Sequence, residues 1–470
     1  MQKTKIVCTM GPATADYNTI VKLIKGGMNV ARLNMSHGEL DGHRQLADLI
    51  KKARKQLNIP CAIMVDTRGP EIRIGSFKNG SAELKHGQTF TFTTREVEGD
   101  NSIVSLREKH IINSAHPGKL IYADSGLIIF KIKQVTATDI VCKVIEGGLL
   151  GSNKNFAIPH AKLNIPYISE VDKTHIKFAA EIHAEYIACS FVSSAEDVDE
   201  VRSLVKQYGG ECDLIAKIES SAGIKNLKSI MQVSDGIMVA RGDMGTEVPL
   251  SHIPSIQKQM LKDGLIAGKP IIVATEMLET MTENPRPTRA EVTDVANAIF
   301  DRTNATMLSG ETAVGKHPLT VVNTMSKIAA DTENAINYEE KFRQHYNFDN
   351  NSLNAVSYSA VGASFALNAK VIVCFTKTGR TARWLSRYRP KAAILAVTHN
   401  EQVYNKLALI WGVKPILRPV SKNMDTVFDD AESLAKAYKL AKAGDTIIIT
   451  SGTPSVNMGP TNLIKVSVIK

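Results

Sequence analysis

The sequence predicts an α/β protein: a (βα)8 barrel with an inserted all-β lid domain and a C-terminal open α/β domain. Three observations predict this fold class. Short runs rich in Val and Ile alternate with helix-like stretches, as in parallel βα units. One connection between such runs is much longer than a helix and has turn-separated strand patterns of its own. A second, shorter alternation of the same kind follows residue 351.

Eight apolar runs before residue 310 predict the strands of the barrel. They cover residues 5–9, 30–34, 62–66, 186–190, 214–218, 236–240, 271–275 and 305–308. Eight successive βα units close on themselves, and the active sites of such barrels lie at the C-terminal ends of the strands. We therefore expect the functional residues at the C-terminal ends of these runs.

The long connection between the third and fourth runs predicts a separate all-β domain. Residues 90–94, 120–122, 127–134 and 140–144 have strand patterns separated by Gly, Asn and Asp. Because this connection leaves the barrel at its C-terminal rim, the domain is placed to act as a lid over the active site. We assign residues 68–164 to it, and residues 1–67 and 165–336 to the catalytic barrel.

Residues 337–470 predict a C-terminal α/β regulatory domain. The polar stretch 337–351 is interpreted as a linker, and strands are predicted at 371–375, 393–397, 413–417 and 446–449. A helix over 424–442 is predicted between the last two strands.

Composition excludes several classes of protein. No apolar run is long enough to span a bilayer and no signal-peptide pattern begins the chain, so we expect a cytoplasmic protein with no membrane partner. The six cysteines form no CxxC pair, which gives no support to a zinc or redox motif. The net charge of +10 is spread along the chain, which favours small anionic substrates over nucleic acid.

Polar side chains end most of the predicted barrel strands. Lys217 and Glu219 are two residues apart and therefore share one face of the fifth strand. The other strand ends carry Arg32, Asn34 and Ser36 on one face of the second strand, Asp66, the string Arg241-Gly242-Asp243, and Thr275. Any one of these residues is most simply a charge at the exit to solvent or a helix cap. The full set on one rim would be costly without a bound partner.

The carboxylates of Glu219 and Asp243 predict a site for a hard divalent cation, Mg²⁺ or Mn²⁺. Lys217 and Arg32 beside it are suited to hold negative charge on a phosphoryl group, whose transfer depends on positioning and charge neutralisation. Residues 242–247 are interpreted as the opening of a short helix, whose free N–H groups favour a carboxylate or phosphate. The sequence thus predicts metal-dependent phosphoryl transfer.

Several strings resemble those of the pyruvate kinase family, in the family's order. They are TKIVCTMGPAT, MNVARLNMSHG, DTRGPEIR, AKIES, DGIMVARGDMGTEVP and ATEMLETMTENPRPTRAEVTDVANAIFDRTNATMLSGETAVGKHP. The resemblance runs nearly end to end along the barrel, whereas the other two domains match in placement more than in wording. It implies the glycolytic transfer of phosphate from phosphoenolpyruvate to ADP, giving pyruvate and ATP, by a homotetramer.

The resemblance also implies roles for individual residues. Glu219 and Asp243 would hold the divalent metal, and Lys217 would stabilise the transferring group. The remaining implied roles are contact with the phosphate (Arg32, Arg73), binding of the substrate carboxylate by backbone amides (Gly242, Asp243), a place near the enolate face that gains a proton (Thr275), and nucleotide binding (Asn34, His37, Arg73, Lys154).

A monovalent cation site is implied as well. The side chains of Asn34, Ser36 and Asp66 and the carbonyl of Thr67 resemble the family's K⁺ ligands. Members that need K⁺ have Glu at the position of Glu71, and K⁺-independent members have Lys. We therefore expect activation by K⁺.

A loop in the C-terminal domain follows the strand at 371–375 and precedes a helix. Its residues are Thr376, Lys377, Thr378, Gly379, Arg380 and Thr381. From residue types alone it is equally a phosphate cradle or an ordinary turn with a Thr cap. The family resemblance implies a site for an activating sugar phosphate or nucleotide.

Two rival functions remain open at this point. Metal-dependent barrel aldolases or lyases of the phosphoenolpyruvate/pyruvate type also use Glu and Asp ligands, although they would not need Lys217, the K⁺ ligands or the lid. A non-catalytic binding protein is the other, and the intact set of Lys217, Glu219, Asp243 and Arg32 speaks against it.

Overall fold

The structure is a computed structural model that describes residues 2–124, 126–159, 166–344, 351–419, 423–452 and 461–470. The predicted domain boundary at 164/165 and part of the predicted linker, 345–350, lie outside these residues.

A closed barrel of eight parallel strands confirms the central prediction. In chain order, barrel strands 1 to 8 are Lys5–Thr9, Met28–Asn34, Ala62–Asp66, Tyr186–Cys189, Asp213–Ile218, Gly236–Ala240, Ile271–Ala274 and Ala305–Leu308. Each strand pairs with its neighbours in sequence, and strand 1 closes the barrel against strand 8. All eight strands overlap the predicted runs, because buried parallel strands are continuous apolar segments.

Helices surround the barrel and bury one face against the strands. They are Tyr17–Gly26, Leu40–Leu57, Glu170–Glu181, Ala195–Gln207, Ser221–Lys225, Leu227–Val233, Arg241–Glu247, Ile253–Ala267, Arg289–Phe300, Gly310–Ala313 and Pro318–Asn334. Reciprocal capping boxes start three of them, at Ser169 with Asp172, Ser194 with Asp197, and Thr288 with Glu291. These caps fix the residues at which the three helices begin.

The interior of the barrel is a packed apolar column and not a pore. It is formed by Val7, Val30, Ala62, Met64, Tyr186, Ala188, Ile215, Met238, Ile272, Ala274, Ala305, Met307 and Leu409. Leu409 comes from the C-terminal part of the chain and is fully buried there. The C-terminal domain therefore closes the floor of the barrel, opposite the rim that carries the predicted site.

The connection after barrel strand 3 forms the inserted all-β region. Its strands are Ser81–Leu84, Thr89–Thr93, Ile103–Ser105, Leu120–Ala123, Ile128–Val135, Asp139–Glu146, Gly148–Gly151 and Phe156–Ala157. Six form one sheet and two another, over a core that includes Phe90, Phe92, Phe130 and Phe156. Four short strands, at 81–84, 103–105, 148–151 and 156–157, were not predicted.

A five-stranded sheet with helices on both faces confirms the open α/β fold of the C-terminal domain. The strands Val371–Phe375, Ala393–Thr398, Val413–Leu417 and Thr446–Ser451 are parallel, and the unpredicted Leu463–Val468 pairs antiparallel at one edge. The helices are Tyr338–Arg343, Ser352–Ala366, Arg380–Arg387, Glu401–Lys406 and Met424–Ala437. Within the stretch 337–351, which was interpreted as a linker, the structure has the helix Tyr338–Arg343, which the Asn337 side chain caps.

Two further features bear on the expectations from composition. All six cysteines are buried and free, as small apolar side chains would be. Within the described ranges, no helix is both long and apolar enough to cross a bilayer.

Candidate active site

A buried network of opposite charges lies at the C-terminal rim of the barrel. Lys217 Nζ lies 3.1 Å from Asp66 Oδ1, 3.1 Å from Glu219 Oε1 and 2.6 Å from Ser190 Oγ. Arg32 Nε donates to Asp66 Oδ2 at 2.6 Å. Strands 2, 3 and 5 thus bring together four of the side chains that the sequence singled out: Arg32, Asp66, Lys217 and Glu219.

The charges of this network stabilise one another. Burial lowers the pKa of Lys217, but Asp66 and Glu219 outweigh it and raise that pKa above its ordinary value. Burial raises the pKa of Asp66, but Arg32 and Lys217 outweigh it and bring that pKa below its ordinary value. Lys217 and Asp66 are therefore both charged at neutral pH. The Lys217 ammonium can therefore bind an anionic substrate.

Glu219 has an oxygen that fits a metal ligand. Its Oε2 accepts from the Phe191 N–H at 2.6 Å, whereas its Oε1 is buried and has no hydrogen-bond partner. Lys217 approaches Oε1 to 3.1 Å without hydrogen-bond geometry. Burial raises the pKa of Glu219 to about 7, against the effect of Lys217, and Asp243 adds to the rise. A divalent cation shared with Asp243 would satisfy this oxygen and relieve the repulsion.

The donor set for that cation is small. Among the described residues, no group of three or more His, Cys, Asp and Glu side chains is arranged to hold a metal. Two carboxylates, with the other positions filled by water and substrate, are the arrangement that Mg²⁺ commonly takes. Glu219 and Asp243 fit this pattern.

The oxygen atoms predicted for K⁺ lie beside the same network. The side-chain oxygen Oδ1 of Asn34 accepts from the Ser36 N–H at 3.2 Å, and the backbone carbonyl of Thr67 accepts from the Ser190 hydroxyl at 2.7 Å. Asp66 already binds Arg32 and Lys217 through its two oxygens. These are hard oxygen donors, which suit an alkali cation, and a bound K⁺ would share Asp66 with the two basic side chains.

Thr275 and Gly242 contact each other across strands 6 and 7. The Gly242 N–H donates to the Thr275 hydroxyl at 2.9 Å. Thr275 and Glu276 both have left-handed backbones, with φ of 67° and 53°. Arg241 supports this turn by donating to the Thr275 carbonyl at 2.5 Å and to the Glu276 carbonyl at 3.2 Å. Sequence reasoning quoted Arg241 as part of a string but gave it no role.

A cavity of about 280 Å³ opens above the network, between the barrel and the inserted region. Its lining includes five cationic side chains, Arg32, Arg68, Arg73, Lys154 and Lys217, and three carboxylates, Glu71, Asp124 and Asp243. Asn34, Ser36 and His37 also line it. The residues predicted to bind a nucleotide therefore face the same space as Lys217.

The cationic residues on the lid side are already held by the chain. Arg73 lies 2.8 Å from Glu71 Oε2 and donates to the Asn153 carbonyl at 3.0 Å. Lys154 lies 2.8 Å from Asp124. Both basic side chains are thus oriented before any ligand arrives.

Ser190 is a site residue that sequence reasoning missed. Its hydroxyl lies within hydrogen-bond distance of Lys217 Nζ, of Asp66 Oδ1 at 3.1 Å and of the Thr67 carbonyl at 2.7 Å. A signal was present, since Ser190 ends the fourth predicted run just as Asp66 ends the third. The rule that singled out the other strand ends applies to it equally.

The predicted effector loop is a strand-to-helix turn in the C-terminal domain. The Gly379 N–H donates to the Thr376 hydroxyl at 3.0 Å, and Gly379 has a φ of 80°. Thr381 is buried against Thr461, with 2.6 Å between their hydroxyls. Lys377, Thr378 and Arg380 are exposed. Exposure is expected both for a phosphate cradle and for an ordinary turn, so it favours neither interpretation.

Comparison with known proteins gives consistent matches over the whole chain. Residues 1–322 match the family model described as "Pyruvate kinase, barrel domain", and residues 354–467 match "Pyruvate kinase, alpha/beta domain". A pyruvate kinase of Clostridium perfringens is 42% identical over 474 residues, covering 100% of both chains. One of Staphylococcus saprophyticus is 41% identical over 100% of this chain and 81% of its own length.

A solved structure agrees with these matches. A crystal structure described as a pyruvate kinase from Cryptosporidium parvum superposes with a TM-score of 0.93 at 36% identity. The alignment covers 100% of this chain and 96% of that one.

Proposed function

The chain belongs to the pyruvate kinase family, and we propose that the rim of its barrel performs that family's reaction. The reaction is transfer of the phosphoryl group of phosphoenolpyruvate to ADP, giving pyruvate and ATP. The observation that carries this assignment is the buried contact of Lys217 with Asp66 and Glu219 below a mainly cationic cavity.

Lys217 and Arg32 stabilise the transferring phosphoryl group. Lys217 stays charged because Asp66 and Glu219 raise its pKa, and its ammonium lines the cavity. Arg32 is held by Asp66 and by the Thr9 hydroxyl at 2.8 Å, so its guanidinium is oriented in advance. Preorganised cations of this kind stabilise developing negative charge without reorganising during the reaction. Arg73 adds a further donor from the lid side.

Glu219 and Asp243 would hold Mg²⁺, or Mn²⁺ in its place, and Asn34, Ser36, Asp66 and the Thr67 carbonyl would hold K⁺. The divalent ion neutralises negative charge on the enolate and phosphoryl oxygens when it is bound. The unpartnered Oε1 of Glu219 supports the first assignment.

Thr275 and the Gly242–Asp243 backbone position the carboxylate end of the substrate. The Thr275 hydroxyl now accepts the Gly242 N–H, so a substrate carboxylate would take over that acceptor role. The Thr275 hydroxyl donates to the Ala274 carbonyl at 2.7 Å, so its freed acceptor site could bind a water near the face of the enolate that gains a proton.

Several finer assignments complete the proposal. Asn34, His37, Arg73 and Lys154 bind the nucleotide, and residues 376–381 bind a sugar-phosphate or nucleotide effector. The domain limits are 1–67 with 165–336, 68–164, and 337–470. The enzyme is a cytoplasmic homotetramer.

A coupled assay for pyruvate formation tests the function. We expect pyruvate only when both phosphoenolpyruvate and ADP are present, and Lys217→Met to reduce turnover by roughly 10³-fold or more. Lys258→Met is the matched control, because Lys258 is an exposed lysine paired with Asp301 outside the site. Pyruvate formation without ADP would favour a lyase, and full activity of Lys217→Met would contradict the role given to that residue.

A further inference from the structure

Two basic side chains of the C-terminal domain form ion pairs with the first residue of barrel strand 5. Asp213 is the first residue of barrel strand 5, Asp213–Ile218, at the floor of the barrel. Its carboxylate receives Arg383 at 2.5 Å and Lys406 at 2.6 Å, both from the C-terminal domain. Burial raises the pKa of Asp213, but Arg383 and Lys406 outweigh it and lower that pKa. The three groups therefore form a charged contact between the two domains.

The same strand carries the residues assigned to catalysis at its other end. Side chains alternate along a strand, so Asp213, Ile215 and Lys217 point the same way. Ile215 belongs to the packed interior of the barrel. A single column of side chains thus leads from the ion contact at the floor to Lys217 at the rim.

A second contact from the C-terminal domain supports this column. Leu409 packs into the interior of the barrel. The Tyr186 hydroxyl donates to the Lys406 carbonyl at 2.6 Å, and Tyr186 lies opposite Asp213 in the parallel register of strands 4 and 5. The floor of the barrel is therefore built from both domains.

Strand 5 is paired and buried so that a displacement of its first residue, Asp213, is not taken up locally. Its residues 213–216 pair with strand 4 on one side, and its residues 215–218 pair with strand 6 on the other. Leu214 through Ile218 are all buried. Packed interiors transmit small displacements because they contain few voids. A change in the ion pairs of Asp213 would therefore change the position of Lys217.

We propose that Asp213 is a positioning residue for the phosphoryl transfer: held by Arg383 and Lys406, it fixes strand 5 so that Lys217 meets Asp66 and Glu219. This inference rests on the proposed function. Arg383 lies in the helix Arg380–Arg387, and its N–H donates to the Gly379 carbonyl of the 376–381 loop at 3.1 Å.

Steady-state kinetics of Asp213→Asn test the proposal. We expect kcat to fall about tenfold, because misplacing a catalytic group slows the chemical step. KM for phosphoenolpyruvate and for ADP should stay within about twofold, since the cavity residues outside strand 5, such as Arg32, Arg73 and Lys154, keep their places. Arg383→Gln should lower kcat similarly, and the double variant should be no slower than the slower single variant, as expected for two residues acting through one contact. Independent, multiplying effects would overturn the proposal.

Arg389→Gln is the matched control. Arg389 is also a buried arginine between the domains, but it donates to the Arg302 carbonyl at 2.7 Å and to Asn304 at 3.0 Å, away from strand 5. We expect this variant to lose stability while kcat stays within about twofold of wild type. An equal fall in kcat for Arg389→Gln and Asp213→Asn would reduce Asp213 to a structural role and overturn the proposal.

Lys406→Met covers the case in which Asp213→Asn does not fold, because it leaves the carboxylate paired with Arg383. A smaller fall in kcat at unchanged KM supports the proposal, and an unchanged kcat contradicts it. The wild-type assay separates the two levels of inference. A wild-type chain that forms no ADP-dependent pyruvate contradicts the proposed function and this inference together. An active wild type with an insensitive Asp213→Asn contradicts the inference alone.

Discussion

Asp66 shows how one residue organises the candidate site. It is almost fully buried, and its two oxygens bind Arg32 and Lys217. The sequence predicts that these side chains lie together at the C-terminal ends of the barrel strands. It does not predict that one carboxylate pairs with both cations, because that depends on barrel radius and strand stagger. Ser190, which lies 2.6 Å from Lys217 Nζ, was overlooked although it ends a predicted run just as Asp66 does.

K⁺ dependence is the prediction that belongs to this residue scale. We expect turnover of the wild type to rise strongly when K⁺ replaces tetramethylammonium at constant ionic strength. We expect Glu71→Lys to reduce the ratio of the two rates, because its ammonium places a fixed positive charge in the cavity that Glu71 lines. Equal rates of the wild type in both salts would contradict the assignment of Asn34, Ser36, Asp66 and Thr67.

At the scale of elements, the local sequence pattern predicted the strands and helices that are marked by long apolar runs or by caps. All eight barrel strands were found, and strands such as Ala62–Asp66 match their predicted limits. Short strands such as Ile103–Ser105 were missed because three residues carry too little pattern. Leu463–Val468 was missed because it is a partly exposed edge strand. Its pairing depends on Thr446–Ser451, which local sequence does not show.

The connection from barrel strand 3 to the inserted region depends on Gly69. Gly69 has a φ of 67°, and a Cβ there would lie 2.8 Å from the Ser190 carbonyl oxygen and 2.9 Å from Ser190 Cβ. We expect Gly69→Ala to push Ser190 away from Lys217 and to lower kcat by about tenfold. Steady-state assays of the purified variant measure this.

Gly80→Ala is the control for backbone strain. Gly80 has a φ of 77° in the inserted region, and a Cβ there would meet nothing within 4 Å. Both variants should lose about 1 kcal/mol of stability from the left-handed backbone. Only Gly69→Ala should lose activity. A parallel loss in Gly80→Ala would show that strain, and not the displacement of Ser190, explains the effect.

At the scale of the whole molecule, the barrel and the C-terminal domain meet through lysines that donate to carbonyls. Lys3 Nζ donates to the Pro390 carbonyl at 3.0 Å and to the Lys391 carbonyl at 2.7 Å. Lys5 Nζ donates to the Val413 carbonyl at 2.8 Å. Lys5 is buried and Lys3 is half-buried at the domain boundary, where desolvation lowers the pKa of both. The free energy of unfolding should therefore change with pH in the alkaline range.

Lys5 gives this dependence a definite sign. Burial lowers its pKa from 10.5 to about 8, against a smaller opposing effect of Glu333. Between these two values the unfolded chain binds more protons at Lys5 than the folded chain, so the free energy of unfolding rises with pH, by up to about 3 kcal/mol. Lys5→Met removes this contribution, and the urea midpoint should then rise less between pH 8 and pH 10 than in wild type. Exposed Lys22→Met should keep the wild-type rise. At pH 7 we expect Lys5→Met to be no less stable than wild type, because an apolar side chain there replaces a buried charge. An identical alkaline rise in Lys5→Met and wild type would show that the buried ammonium costs the folded state nothing.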